Sequence, residues 1–193
     1  MKKEERHIAD KEIIQILEGD SSAFEAIIKR YENKMYKYCF FLLGNKQEAE
    51  DAVQEIFLKA FFQIQSFRYD KSFAGWLYTI ALNQCRTILR KRKKWQEVLL
   101  NIAKWPTEYE SSAEKVYLSN PSSLTEDFNM LSEAEKSILI LHTVERYTFV
   151  EISNILNMRT STVRKRFERI KKKITEEAQN HKGRILNERK IKV

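Results

Sequence analysis

Glycine and proline are scarce in this sequence, which has four glycines and two prolines among its 193 residues. Tight turns between strands depend on these two residue types. Their scarcity therefore argues against a sheet-rich fold and predicts an all-α chain with short connections between its helices.

Cysteine and histidine are also few, and their positions exclude most metal and catalytic sites. Cys39 and Cys85 form no CxxC pair and have no histidine pair nearby, so we interpret both as small buried side chains. His7, His142 and His181 are scattered, and the sequence contains no nucleophile–base pair and no glycine-rich phosphate loop. We therefore expect no catalytic residue, no metal site, no cofactor and no small-molecule substrate, and the protein is not predicted to be an enzyme.

Long apolar segments are missing as well. No stretch approaches the ~20 consecutive apolar residues that a membrane span requires. The first residues, MKKEERHIADKEI, are charged and lack the apolar run of a signal peptide. We therefore predict a cytoplasmic protein that is not inserted in a membrane.

Positive charge, by contrast, is abundant, with a formal net charge of +8. Such an excess favours a polyanionic partner, nucleic acid before membrane. The bases are concentrated in residues 86–94, which contain no acid, and in residues 159–173, which contain a single acid. Either run alone is compatible with a merely solvated helix face. Two dense clusters on separate helices predict two contacts with one long polyanion, and binding that weakens steeply with salt.

Apolar residues recur at helical spacing in three segments of the first half of the chain. The first helix begins with Ser22 and Glu25 at capping-box spacing and ends at Gly44. Asn45 is suited to cap the second helix, and Ser72 is suited to cap the third. Three amphipathic helices with short loops predict a compact helical domain.

A change of composition follows, because residues 96–126 contain both prolines, many serines and more acids than bases. This segment is predicted to be a flexible linker with at most local helix. Beyond it, Ser132 and Thr148 each precede a glutamate by three residues and predict two capped helices. Asn157 tolerates a left-handed turn, and the basic helix that follows completes a helix-turn-helix pattern.

The predicted fold class is therefore all-α, with two small helical domains joined by a flexible linker. The expected boundaries are residues 1–95 for the first domain, 96–126 for the linker and 127–178 for the second domain. Residues 179–193 form a basic tail that is predicted to fray.

The second helix concentrates carboxylates near its start. Glu48, Asp51 and Glu55 are spaced three and four residues apart, which puts them on one ridge with Gln54 beside it. DNA would be repelled by this ridge, and a metal site there would lack a histidine or cysteine partner. A surface for a basic protein partner is the preferred interpretation, so the chain is predicted to have a DNA side and a protein side.

Aromatic residues cluster around the start of the third helix. Phe61, Phe73 and Trp76 fall on packing faces and are predicted to lie in the core. Phe67 and Tyr69 lie in a polar loop beside the first basic cluster. Because stacking on an aromatic ring contributes ~1–3 kcal/mol per base, this loop is a candidate pocket for a base flipped from an opening duplex.

These residues resemble those of an extracytoplasmic-function sigma factor, a small bacterial transcription-initiation subunit of the sigma-70 superfamily. SSAFEAIIKRYENKMYKYCFFLLGNKQEAEDAVQEIFLKAF is similar to the start of the family's region 2. SFAGWLYTIALNQCRTILRKRKK is similar to its promoter-melting helix. LSEAEKSILILHTVERYTFVEISNILNMRTSTVRKRFERIKKKI is similar to region 4, so the resemblance covers about residues 20–94 and 128–176.

The resemblance implies binding to core RNA polymerase, through its β′ coiled coil and β subunit, and to promoter DNA. It implies docking on the coiled coil by Asp51, Gln54, Glu55, Phe57 and Leu58. It implies contacts with the −10 element by Ser66, Phe67, Tyr69, Ser72, Trp76, Asn83, Arg86 and Arg90. It implies contacts with the −35 element by Thr160, Ser161, Thr162, Arg164, Lys165, Glu168 and Arg169. An anti-sigma factor is a further implied partner.

The implied function is that of an alternative sigma factor of a stress response, which directs polymerase to specific promoters and aids strand opening. The alternative is a stand-alone helix-turn-helix regulator, which needs neither the acidic ridge nor the aromatic loop. One departure from the family pattern is Glu168, where an aromatic residue or histidine is common. Its carboxylate either accepts from cytosine N4 or pairs with Lys165 or Lys172, and the pairing is preferred.

Overall fold

The structure, a computed structural model, describes Ile16 and residues 22–68, 72–103 and 130–191, with backbone alone for 99–103 and 177–191. Every regular element within these residues is helical, and none is a strand. The chain divides into two compact units, Met1–Ser122 and Ser123–Val193. The prediction of an all-α fold in two helical units is confirmed.

The described residues of the first unit include three helices and a short 3-10 turn: α1 (Ala23–Leu43), α2 (Lys46–Gln63), the turn Ile64–Ser66, and α3 (Phe73–Ala103). Gly44 closes α1 in the left-handed region at φ 68°, and its N–H donates to the Phe40 carbonyl at 2.8 Å. Asn45 follows at once and accepts from the Glu48 N–H at 2.9 Å. The predicted junction between the first two helices is therefore confirmed.

The start of α1 differs from the prediction. Ser22 has helical dihedral angles, φ −68° and ψ −27°, and its side chain makes no capping hydrogen bond. A side-chain cap requires an extended backbone at the capping residue, so the hydroxyl cannot reach the first turn. The Glu25 carboxylate instead lies 2.7 Å from the Lys29 ammonium. The predicted capping box at Ser22 is therefore wrong.

The core of the first unit is formed by the inward faces of all three helices. The largest fully buried side chains in this unit are Ile27, Met35, Tyr38, Ile56, Leu77, Tyr78 and Leu82. Cys39 of α1 and Cys85 of α3 are also fully buried. A hydrogen bond between the two thiols, together with burial, raises the pKa of Cys39 above its ordinary range. Both cysteines are therefore small buried packing residues, as predicted.

The third helix is longer than predicted, because α3 continues to Ala103 and includes residues 96–103 of the expected linker. Glutamate, leucine and alanine favour helix in this stretch, and the first proline after it is Pro106. Trp95, just before this extension, is 68% exposed, and Val98, on the extension, is 37% exposed. The rest of the predicted linker, residues 104–126, lies outside the described residues.

The part of the second unit that the structure describes contains three helices: α4 (Glu133–Thr143), α5 (Phe149–Leu156) and α6 (Thr160–Ile191). Ser132 and Thr148 form the predicted capping boxes, each with the glutamate three residues on. Asn157 adopts φ 52° and ψ 52° between α5 and α6, so the predicted left-handed turn is confirmed. These elements form the predicted helix-turn-helix.

The core of the second unit is aliphatic, with Ile138, Leu141, Ile152, Val163 and Ile170 each fully buried. Val144 is 60% exposed, because α4 ends at the preceding residue. The backbone of α6 stays helical to Ile191, which differs from the predicted fraying after Ala178.

No helix among the described residues combines the length and hydropathy needed to cross a bilayer.

Candidate functional site

The outward face of α2 brings together most of the residues predicted to bind a protein partner. Asp51, Gln54 and Glu55 are exposed, and Leu58 is 52% exposed on the next turn. Steps of three and four residues place these four side chains on one stripe. Phe57 is only 6% exposed, because it packs inward from the helix, and its docking role stays a prediction.

An apolar groove of about 390 Å³ lies beside this stripe, between α1 and α2. Its apolar lining consists of Phe24, Ile28, Val53, Phe57, Leu58 and Phe61. Phe61 is 38% exposed and Phe62 is 77% exposed, so the prediction that Phe61 lies in the core is wrong. The sequence contained a signal for this: steps of three and four residues from Leu58 reach Phe61 and Phe62. The stripe is therefore acidic at one end and aromatic at the other.

Glu48 does not belong to the exposed ridge. Its carboxylate binds the guanidinium of Arg92 on α3, and the same guanidinium donates to the Leu43 carbonyl at 3.1 Å. Arg92 lies two helical turns beyond the buried Cys85 and therefore on the inward side of α3. This brace removes Glu48 from the ridge and Arg92 from the first basic cluster. No three histidine, cysteine or acidic side chains among the described residues group as metal ligands.

The outward face of α3 carries four of the residues predicted to contact the −10 element. Trp76, Asn83, Arg86 and Arg90 recur at seven, three and four residues, which places them on one face. Asn83 and Arg90 are exposed, whereas Trp76 and Arg86 are half-buried. The Arg90 guanidinium donates to the Arg86 carbonyl at 3.3 Å and so lies along the helix.

The segment before α3 presents two of the predicted serines. Ser72 accepts from the Gly75 N–H at 3.4 Å, which confirms it as the cap of α3. Ser66 is exposed, and its hydroxyl donates to the Gln63 carbonyl at 2.6 Å. Both serines therefore stabilise the ends of this segment.

Phe67 is buried, with 6% of its surface exposed. Its ring lies 5.5 Å from the centroid of Phe73 and 5.5 Å from that of Trp76. The ring fills the space beneath Trp76, so the prediction that Phe67 is available to a flipped base is wrong. Tyr69, its predicted companion, lies outside the described residues.

The first turns of α6 present most of the residues predicted to contact the −35 element. Ser161, Arg164, Lys165 and Arg169 are exposed. Thr162 is half-buried next to them. These side chains surround the outer face of the second helix of the helix-turn-helix, which is the element that enters the major groove in this motif.

Thr160 differs from its neighbours because its hydroxyl is used inside the unit. It donates to the Ser153 hydroxyl at 3.0 Å, and Ser153 in turn donates to the Val150 carbonyl at 2.7 Å. This chain of hydrogen bonds joins the start of α6 to α5. The predicted phosphate contact of the Thr160 hydroxyl is therefore replaced by a structural role.

Three acids among the described residues bind bases of the second basic cluster, and one of them, Glu176, lies 3.7 Å from Lys172. Glu168 lies 2.6 Å from Lys171, so the predicted partners Lys165 and Lys172 are wrong. Lys173 lies 2.9 Å from Glu135 at the start of α4. Burial pushes the pKa of Glu135 upward, but hydrogen bonds from Lys173 and from the Ser132 backbone and hydroxyl outweigh it and lower the pKa. Lys173 is therefore a brace, as Arg92 is in the first unit.

Comparisons with known proteins agree with this division of the chain. Residues 27–95 match the family model described as Sigma-70 region 2, and residues 125–174 match that described as Sigma-70, region 4. The chain is 33% identical over 173 residues to the ECF RNA polymerase sigma factor SigW of Bacillus subtilis (strain 168), which covers 82% of the chain and 90% of that relative. It is 27% identical over 180 residues to the ECF RNA polymerase sigma-E factor of Escherichia coli (strain K12), covering 86% and 91%.

Solved structures show the same fold. The structure of CnrH in complex with the cytosolic domain of CnrY aligns with a TM-score of 0.66 at 18% identity, over 91% of this chain and 97% of that one. The sigma factor RpoE in complex with the anti-sigma factor NepR from Bartonella quintana aligns with a TM-score of 0.63 at 21% identity, over 79% and 94%. A stand-alone helix-turn-helix regulator would leave the match over residues 27–95 unexplained.

Proposed function

Because the chain belongs to the extracytoplasmic-function family of RNA polymerase sigma factors, we propose that it binds core RNA polymerase and directs it to promoters through the surfaces described above. Its relatives in this family are sigma factors, which are not enzymes. We propose that this chain likewise catalyses no reaction and works in the cytoplasm, where the transcription machinery is found. Residues 1–95 would carry polymerase and −10 binding, and residues 127–178 would carry −35 binding.

The outward stripe of α2 is the proposed docking surface for the polymerase. Asp51 and Glu55 supply negative charge, and Leu58 supplies an exposed apolar anchor beside the groove. A basic, amphipathic coiled coil such as that of the β′ subunit is the complementary partner. Charge would steer the approach, and the apolar anchor would supply most of the affinity.

The outward face of α3 is the proposed surface for the opened −10 strand. Asn83, Arg86 and Arg90 would contact the strand's phosphates, and the exposed part of Trp76 would contact a base. Phe67 and Phe73 would act from below, because their rings fix the orientation of Trp76. Ser66 and Ser72 would border this site.

The first turns of α6 are the proposed reader of the −35 element. Arg164, Lys165 and Arg169 would reach base edges and phosphates in the major groove, and Ser161 and Thr162 would contact phosphates near the helix start. Glu168 is 59% exposed even when it is paired with Lys171, so its carboxylate could still accept from a cytosine.

An anti-sigma factor is a proposed additional partner. RpoE is described in complex with the anti-sigma factor NepR, and this chain shares its fold. The exposed aromatic end of the α2 stripe, at Phe61 and Phe62, and the groove beside it would give such a partner apolar surface to cover.

The observation that carries the proposal is the segregation of charge in the first unit: exposed acids face outward from α2, and exposed bases face outward from α3. The double substitution Asp51→Lys with Glu55→Lys should weaken binding to core polymerase at least ~10-fold, because like charges at an interface repel strongly. The measurement is a pull-down at several salt concentrations, followed by run-off transcription on a genomic promoter library.

The matched control is Glu25→Lys, an exposed carboxylate of the same unit that lies outside the stripe. Circular dichroism should show an unchanged fold for both variants. Unchanged polymerase binding by the double variant would contradict the docking role. Specific promoter binding by the chain without polymerase would contradict the sigma-factor role and favour the stand-alone regulator.

A further inference from the structure

We infer that Phe149 is a positioning residue that orients Arg164 for base recognition, an inference that rests on the proposed role of Arg164 at the −35 element. The Arg164 guanidinium carbon lies over the Phe149 ring, 5.8 Å from its centroid. Arg164 is exposed on the first turns of α6, whereas Phe149 is half-buried as the first residue of α5. The two residues therefore join the two helices of the helix-turn-helix at the face that would meet DNA.

The capping box at the start of α5 fixes the Phe149 backbone independently of Arg164. The preceding residue, Thr148, caps α5: its hydroxyl accepts from the Glu151 N–H at 3.3 Å, and its own N–H donates to the Glu151 carboxylate at 2.8 Å. A reciprocal cap of this kind holds the first turn of a helix in one conformation. The ring therefore starts from a rigid position.

The Phe149 ring is also held from two other helices. His142 of α4 stacks on it with the ring centroids 4.4 Å apart and the planes 22° apart. Phe167 of α6 contacts it at 5.4 Å. His142 is itself fixed, since its Nδ1 lies 2.9 Å from the Tyr147 carbonyl. All three helices of the second unit thus converge on the Phe149 ring, which becomes a rigid platform.

A platform of this kind has a specific consequence for an arginine. The negative face of an aromatic ring attracts a guanidinium, and this contact involves the face of the planar group. The N–H donors point outward in the guanidinium plane, so a guanidinium held over a ring keeps its donor edge for a bidentate contact with guanine O6 and N7. Because fewer rotamers remain to be frozen on binding, a larger share of the contact energy appears as affinity.

A second cation over a ring in the same unit provides an internal control. The Lys171 ammonium lies 5.6 Å from the centroid of Phe167, but Lys171 is also bound to the Glu168 carboxylate at 2.6 Å. An ion pair already orients that lysine. Reducing the negative charge on the ring face of Phe167 should therefore change base discrimination much less than the same change at Phe149.

The test replaces Phe149 with phenylalanines of increasing fluorine content, which retain the shape of the ring and weaken its negative face. The measurement is the affinity of the holoenzyme for its promoter relative to promoters with single base substitutions in the −35 element. Discrimination at the base read by Arg164 should fall by about 2- to 5-fold across the series, the range expected for an exposed cation–ring contact. The same series at Phe167 should lower discrimination much less than the series at Phe149, and Phe149→Tyr should retain it.

The outcomes separate this inference from the proposed function. If Arg164→Ala removes discrimination at one base position but fluorination of Phe149 does not, the positioning role is wrong and the reading role stands. If Arg164→Ala leaves every position unchanged, the proposed reading role itself is wrong. The inference is also overturned if fluorination weakens binding to all sequences equally, or if its effect persists in an Arg164→Ala background.

Discussion

The two units of the molecule use a glutamate in the same position for different purposes. Glu48 is the third residue of α2 and binds Arg92 from the long basic helix α3. Glu135 is the third residue of α4 and binds Lys173 from the long basic helix α6. Each unit therefore has a basic cluster predicted to bind DNA, and one base of that cluster instead forms an ion pair at the start of another helix.

The two glutamates differ in the contacts that they make besides the ion pair. The Glu135 carboxylate also accepts from the Ser132 N–H at 2.9 Å and closes a capping box, whereas the described contact of the Glu48 carboxylate is with Arg92. The first unit has a large core with several buried aromatic rings, and its helix α1 has no side-chain cap. The second unit is shorter and its core is aliphatic. We infer that the smaller unit depends more on capping and ion pairing, because a small domain buries less of its surface.

The largest expected effects come from matched core truncations, Ile56→Ala in the first unit and Ile152→Ala in the second, both at fully buried positions. Each should cost ~2–5 kcal/mol of the free energy of unfolding. The second unit should lose a larger share of its folded population than the first, because a smaller unit has less stability in reserve. Hydrogen exchange resolved by unit measures this, with Ile152→Val as the milder control. Equal tolerance of the two truncations would remove the contrast between the units.

The next effect in size separates the two glutamates. Glu135→Gln should destabilise the second unit by roughly 1–3 kcal/mol, because it removes an ion pair and weakens a cap together. Glu48→Gln should cost the first unit less, since the Asn45 cap of α2 remains. Urea unfolding of both variants measures the difference. A larger loss from Glu48→Gln would contradict the view that the second unit depends more on its polar contacts.

The contribution of Glu135 to the stability of the second unit should depend on pH. The pKa of Glu135 is lowered in the folded chain from its ordinary value of 4.5. Its stabilising contribution is therefore fully present above that value and is lost as the pH falls through the lower folded pKa. The stability curves of the second unit in the parent chain and in Glu135→Gln should thus converge on acidification.

Much of the fold was predictable because its signals are local. The caps at Asn45, Ser132 and Thr148 and the left-handed turn at Asn157 depend on residues within one turn of each other. Helix ends without such a signal were harder to predict. Ser22 has the right spacing to a glutamate, but its backbone dihedral angles exclude the cap, and dihedral angles are not readable from spacing.

The candidate surfaces were predictable in outline, because charge and exposure follow helical period. The residues that support these surfaces could be identified only from tertiary contacts in the structure. Phe67 lies in a polar loop by sequence, yet the rings of Phe73 and Trp76, on the helix that follows this loop, bury it. Arg92 sits in a run of bases, and only the packing of α3 against the junction of α1 and α2 shows that it serves as a brace. A charge count cannot separate a base that contacts DNA from one that holds a helix.

The smallest expected effect tests that separation directly. For single-stranded DNA, each phosphate contact contributes about 0.7 to the slope of log affinity against log salt concentration. Arg90→Ala should reduce the slope for a −10 strand by that amount, whereas Arg92→Ala should leave the slope unchanged and lower the melting temperature of the first unit instead. The measurement is the affinity of the holoenzyme for a labelled −10 strand at several salt concentrations. If both substitutions reduced the slope equally, Arg92 would be a DNA contact, and its bond to Glu48 would not persist in the complex.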